Sequence, residues 1–169
     1  MPAPEFQLVE AHTPQHLQRV REAFVEYAER LGIDLRFQGF EAELAGLPGE
    51  YAPPKGALLL ALIDGAVAGC GAMRPFADAD DGPACEMKRL FVRPAFRGLG
   101  LGRLLAQALM ERALQAGHAV MLLDTLDDME TARGLYSALG FEEVPPYYFN
   151  PIPGAHYLKA ALGEASTRW

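Results

Sequence analysis

Apolar and polar residues alternate over 6–11, which predicts a short opening strand. The period then lengthens. Leu17, Val20, Phe24, Tyr27, Ala28 and Leu31 recur at three- and four-residue spacing, the stripe of an amphipathic helix. Thr13 stands where a helix N-cap is wanted, Pro14 takes the first helical position and Gly32 marks the stop. His16 occupies the position where a capping box would carry Glu or Gln, so the box is incomplete. A second, short helix is predicted over 40–47, closed by Pro48 and Gly49.

Apolar runs at 57–63 and 66–74 flank Asp64-Gly65, a strong hairpin signal. The acidic, turn-rich stretch 75–83 reads as a loop. A strand at 86–92, a helix at 100–116 and a strand at 118–124 follow, and form a right-handed crossover if the strands are parallel neighbours. Asp127 or Asp128 caps a further helix running to Leu139, with Gly140 at its left-handed end. A short apolar segment at 141–144 and a last strand near 156–160 complete the chain. A hairpin followed by strand–helix–strand–helix–strand predicts an α/β architecture, a mixed sheet with helices on its faces.

Composition narrows the function classes. At 169 residues the chain is one domain's worth, expected to span 1–169 and large enough to bury a core unaided. A formal charge of −7 argues against a duplex-binding protein, since phosphate neutralisation needs clustered Lys and Arg. Cys70 and Cys85 lie in or beside apolar strand-like segments without metal-ligand spacing and read as reduced core residues. No basic start leads into an apolar run, so no signal peptide is expected, and the apolar stretch at 56–63 is too short to cross a bilayer. The expected location is cytoplasmic.

The informative chemistry lies in Arg97-Gly98-Leu99-Gly100-Leu101-Gly102, between a strand and a helix. Glycines there let backbone amides approach a ligand, and a helix N-terminus carries unpartnered N–H groups and about half a positive charge. Such a terminus takes phosphate, and Arg97 can add a bidentate contact.

Arg97-x-x-Gly100-x-Gly102 after a strand resembles the pyrophosphate loop of the GNAT superfamily of N-acetyltransferases. Ala132-x-x-Leu135-Tyr136-x-x-Leu139-Gly140-Phe141 resembles that family's fourth-helix segment, in the right order and at the right distance. The likeness runs from the hairpin to the closing strand. It departs at Met129, where family members often carry asparagine. The resemblance implies a mixed, mostly antiparallel sheet whose central parallel strands splay apart. It implies acetyl-CoA as co-substrate, with pantetheine contacts from Leu90, Phe91 and Val92 and pyrophosphate contacts from Arg97 through Gly102. The implied partner is an amine, small-molecule or at a peptide N-terminus. Neither nucleic acid nor membrane is expected, and a homodimer is left open.

Amine acylation needs a neutral amine, yet a free alkylamine has a pKa of about 10. A carboxylate, directly or through water, can take the proton. Glu86 lies eleven residues before Arg97, an offset that resembles the family's placing of such a base. The alternative is a structural pair with Arg74 or Lys88. Tyr136 resembles the family tyrosine that serves the departing thiolate; the alternative is a core tyrosine. The proline-rich segment 145–154 offers Tyr147, Tyr148 and Asn150 as acceptor contacts, or serves as a stiff connector.

Other readings are weaker. Cys85 neighbours Glu86 and so points to the opposite side of the strand, away from the same chemistry. His12 and His16 have a metal pair's spacing without further ligands, and the acidic residues around 124–130 suit a helix N-terminus. Neither Ser137 nor Ser166 sits in a nucleophile elbow. A dinucleotide-binding oxidoreductase would need glycines tight against the strand end, whereas residues 93–97 intervene. A non-catalytic acyl-CoA sensor on the same fold is the other alternative.

Overall fold

The computed structural model describes residues 5–32, 39–79, 82–126, 130–148 and 154–163. Among these residues seven strands form one sheet in the order β1-β2-β3-β4-β5-β7-β6. They are β1 (Phe6–Glu10), β2 (Ala57–Ile63), β3 (Ala66–Ala79), β4 (Gly82–Val92), β5 (Val120–Leu126), β6 (Glu142–Val144) and β7 (Ala155–Ala161). Among the described residues only β4 and β5, joined by the crossover helix α3 (Leu101–Gln115), pair in parallel; every other neighbouring pair is antiparallel. The expected α/β sheet with one central parallel pair is therefore present.

Two helix layers cover the sheet. Helix α3 and helix α4 (Glu130–Ala138) lie on one face, where Leu105, Leu109 and Tyr136 pack against Met73, Cys85, Met87, Met121 and Leu123. Helix α1 (Pro14–Leu31) and helix α2 (Phe40–Ala45) lie on the other. There Val20 and Phe24 pack against Leu58, Leu60, Cys70, Ala72 and Phe91. Each fully buried aliphatic or aromatic side chain contributes about 1.5–3 kcal/mol.

Local chemistry sets the element ends. The Thr13 hydroxyl accepts from the His16 amide at 3.1 Å, and Gly32 closes α1 at φ 65. Asp64 and Gly65, at φ 50 and 83, turn β2 into β3 as the dipeptide predicts. Helix α2 stops at Ala45, two residues short of expectation, with Gly46 as its cap.

The stretch 75–83 departs from the expected loop. β3 runs on to Ala79 and β4 begins at Gly82, with Pro75 opposite Cys85 and Phe76 opposite Ala84. Acidic, turn-rich composition did not preclude backbone pairing. Pro75 needs no amide donor where it stands, and Phe76 finds cover against Tyr147. The expected Asp127 or Asp128 cap and Met129 lie outside the described residues.

β4 also bulges. Lys88 faces Ala72 and Phe91 faces Cys70, so Arg89 and Leu90 share the space opposite Gly71, with Arg89 at φ 60. The extra residue puts Phe91 on the same face as Glu86 and Lys88. Without it, three steps of alternation would send Phe91 to the other side.

Candidate active site

The ladder between β4 and β5 is short. It pairs Ala84 with Val120, Cys85 with Met121 and Glu86 with Leu122, and no further pairs follow among the described residues. Beyond Glu86 the two strands part. Candidate residues stand on both the α3/α4 face and the α1/α2 face around this point.

On the α3 side, β4 leads through a 3₁₀ turn at Pro94–Phe96 to the glycine loop. Gly98 and Gly100 take φ 87 and 80, and a Cβ built at either would meet nothing within 4 Å. The left-handed backbone favours glycine there, and the space in front of it is open. Gly100 is the N-cap of α3 and has no side chain to satisfy the first amides; the first turn contains no acidic residue. Those amides are suited to an anion. Arg97 donates its Nε–H to the Val92 carbonyl at 3.0 Å, which holds the guanidinium beside the loop. Gly102 lies near Leu135 and Val92, Leu99 is exposed and Leu101 is buried.

Leu90 and Val92 pack toward the α3 core, while Phe91 meets Tyr27 edge-on across the other face. Tyr136 is buried beside Phe141 on the α3/α4 side. Burial pushes its phenol well above the ordinary value, and the charges of Tyr27 and Asp124 add to that shift. The hydroxyl is thus a protonated donor within electrostatic reach of groups across the opening.

The α1/α2 side carries a network of charge. Glu86 is 1% exposed, and its Oε1 accepts from Arg74 Nε at 3.0 Å and Nη2 at 2.9 Å. The Tyr147 hydroxyl donates to Glu86 Oε2 at 2.8 Å. Of the two structural partners considered for Glu86, Arg74 is the one that pairs with it. Lys88 instead lies 4.0 Å from Asp124, and the Tyr148 hydroxyl donates to Asp124 at 2.7 Å. Tyr147, Tyr148 and Tyr157 stack edge-on or tilted against one another, with Phe76 closing the cluster. Burial raises the phenols of both Tyr147 and Tyr148, with Glu86 the next cause for Tyr147 and Asp124 for Tyr148. Asn150 lies outside the described residues.

Beside this network a cavity of about 340 Å³ is lined by α2, the 3₁₀ turn Gly49–Tyr51 and Arg74. Its wall at Glu43 is fixed by a bidentate pair with Arg89, both contacts 3.0 Å. The volume falls in the range of small-molecule sites.

Cys70 and Cys85 are both buried, and burial pushes each thiol up to about 12. Neither is a ready nucleophile at neutral pH. No group of three or more His, Cys, Asp or Glu able to hold a metal occurs among the described residues. No helix there is long and apolar enough to cross a membrane.

Residues 17–141, which hold the parallel pair and the glycine-capped helix, match a family model for the acetyltransferase (GNAT) family. The chain belongs to the GNAT acetyltransferases. An uncharacterised N-acetyltransferase of Schizosaccharomyces pombe is 41% identical over 153 residues, spanning 89% of this chain and 91% of the relative. A GNAT acetyltransferase of Staphylococcus aureus superposes with a TM-score of 0.76 at 18% identity, covering 94% of this chain and all of that one. A Salmonella typhimurium acetyltransferase structure with its cofactor acetyl-CoA has a TM-score of 0.66 at 19% identity, covering 94% and 95%. The protein is an acetyltransferase, with the fold of those structures.

Sequence reasoning treated Arg74 and Lys88 only as alternative partners for Glu86 and Asp124 only as one of the acidic residues beside a helix start, and so missed the Lys88–Asp124 pair. Alternation along β4 places Lys88 on the face of Glu86. Asp124's position opposite Lys88 needs the β4–β5 register, which sequence alone does not supply.

Proposed function

We propose that the protein transfers an acetyl group from acetyl-CoA to a primary amine, directly, within a ternary complex. The observation that carries this reading is the end of β4–β5 pairing at Glu86 and Leu122. It sets a glycine-capped helix terminus on one side of an opening and a carboxylate–tyrosine network on the other. The open space before Gly98 and Gly100 and the uncapped amides of α3 fit the pyrophosphate of CoA. Leu90, Phe91 and Val92 would line the pantetheine arm, whose amides can pair with the free edge of β4. When bound, acetyl-CoA supplies the activated acyl group; the chain's own residues orient the amine and manage protons.

Glu86 acts on the amine side. Arg74 takes Oε1 and Tyr147 stands against Oε2, so a route for the amine's proton runs through Tyr147. That hydroxyl donates to Glu86, can accept from the ammonium and passes its own proton on. Arg74 holds the carboxylate in place for this exchange. Tyr136 works on the sulfur side, donating to the departing thiolate from a site where burial keeps the phenol protonated. Tyr147, Tyr148 and Asn150 form the acceptor wall, and the cavity between α2 and Arg74 receives the acceptor's body. The buried, reduced thiols suit a cytoplasmic location.

A panel of small-molecule and peptide amines, with free CoA and N-acetyl product both measured, tests the reading. At least one amine should stimulate CoA release in equal measure with product, with intersecting double-reciprocal plots. Saturable acetyl-CoA binding without amine-stimulated release across the panel would favour a sensor.

A further inference from the structure

Lys88 is a lysine in an unusual place. Its side chain is 5% exposed, whereas lysines are almost never fully buried unless paired. It stands two residues past the last β4–β5 pair, on β4, and Asp124 stands two residues past it on β5. The strands have parted there, and the side chains reach across the opening to within 4.0 Å of one another. Its ammonium therefore lies at the mouth of the opening where the proposed acetyl transfer takes place.

The charges around it bear on reactivity. Burial lowers the Lys88 pKa; Glu86 and Asp124 oppose that shift, while Arg89 and Arg74 add to it. The net direction is downward, so a larger share of this amine is neutral and nucleophilic than on a surface lysine. The ring of Tyr148 lies 6.0 Å from Nζ and closes one side of its site.

We infer that Lys88 is an internal acetyl acceptor, modified by the bound acetyl-CoA when no external amine occupies the site. The inference rests on the acetyl-CoA reading of the opening. In its neutral form Lys88 Nζ attacks the thioester carbonyl carbon. The N–C bond forms, the C–S bond breaks and the sulfur leaves with the electron pair. Asp124 takes the proton lost from nitrogen and returns one to the thiolate. The products are an amide at Lys88 and free CoA thiol, with one further proton released to solvent if the lysine began as ammonium. Acetylation erases the positive charge opposite Asp124 and fills the opening, so it stops turnover, and an external amine protects against it by competing for the acyl group.

The sequence makes the test clean, because the chain contains only three lysines, Lys55, Lys88 and Lys159. The full-length protein is incubated with saturating acetyl-CoA and no amine, digested at intervals and mapped by peptide mass spectrometry. Calorimetry on the same sample confirms binding. Acetyl on Lys88 should approach one per chain and match the CoA released. It should outpace exposed Lys55, whose only advantage is access, by about tenfold or more, as expected for a positioned nucleophile. Gly100→Val, expected to weaken acetyl-CoA binding, should slow labelling at Lys88 and leave the Lys55 background unchanged. Labelling confined to Lys55 or Lys159, or no label at Lys88 while calorimetry shows bound acetyl-CoA, overturns the inference. Absence of acetyl-CoA binding would instead sink the reading of the opening, and this inference with it.

Discussion

Arg89 concentrates several physical demands in one residue. It sits in the β4 bulge at φ 60, only 3% of its side chain is exposed, and its guanidinium lies over the Phe40 ring at 5.2 Å. Glu43 neutralises it through two 3.0 Å hydrogen bonds, which ties α2 to β4 beside the cavity that Arg74 lines. Removing one member of a buried pair leaves the other charge desolvated, at a cost of roughly 3–5 kcal/mol. Glu43→Ala should therefore lower stability by about that amount, read as a fall in the urea midpoint, whereas a loss under about 1 kcal/mol would show the pair to be solvent-screened. At this scale the sequence was readable where a residue's role is local. Thr13, Asp64-Gly65 and Gly140 take the conformations that their own chemistry dictates. The Glu43–Arg89 and Lys88–Asp124 pairs were not readable, because each joins residues brought together only by tertiary packing or strand register.

Among elements, the loop from Arg97 into α3 is both the most legible and the most exposed to test. Its glycines are spaced for a left-handed backbone and an uncapped helix start, and both are present. Gly100→Val adds a β-branched side chain at φ 80, in the open space before the helix amides. Acetyl-CoA affinity should fall about tenfold or more, about 1.4 kcal/mol, in a calorimetric titration of folded protein. Unchanged affinity would remove this loop from the site. The β3–β4 extension was illegible for a physical reason. Pro75 and the acidic residues after it lower strand propensity, yet Pro75 pairs without needing its amide and Phe76 is held by Tyr147. The β4 bulge likewise leaves no mark in the alternation pattern, although it decides which face Phe91 joins.

Across the whole molecule, buried and half-buried tyrosines lie on both faces of the sheet. The phenol of Tyr27 is pushed up to about 12, and those of Tyr51, Tyr136, Tyr147 and Tyr148 are raised further, burial being the largest cause in each. Above pH 10 or so the unfolded chain loses these protons while the folded one keeps them, so stability falls as pH rises. Lys88, with its pKa lowered, acts in the opposite sense between its folded value and 10.5, but it is one group against five. Phenolate absorbance from these tyrosines should appear together with loss of helical circular dichroism, in one cooperative alkaline transition. Gradual ionisation near pH 10 with intact helices would contradict their burial. The proposed reading gives Glu86 to the amine and Tyr136 to the sulfur, and a pH–rate profile of two variants, with an amine found by the panel, tests that proposal most directly. Glu86→Gln should lose most rate at low pH and recover in part at high pH, where free amine is abundant. Tyr136→Phe should lower kcat while leaving acetyl-CoA affinity nearly intact, each role being worth roughly 10²- to 10⁴-fold. Equal, small losses from both variants at every pH would mean that the two residues only shape the site, and would contradict the account.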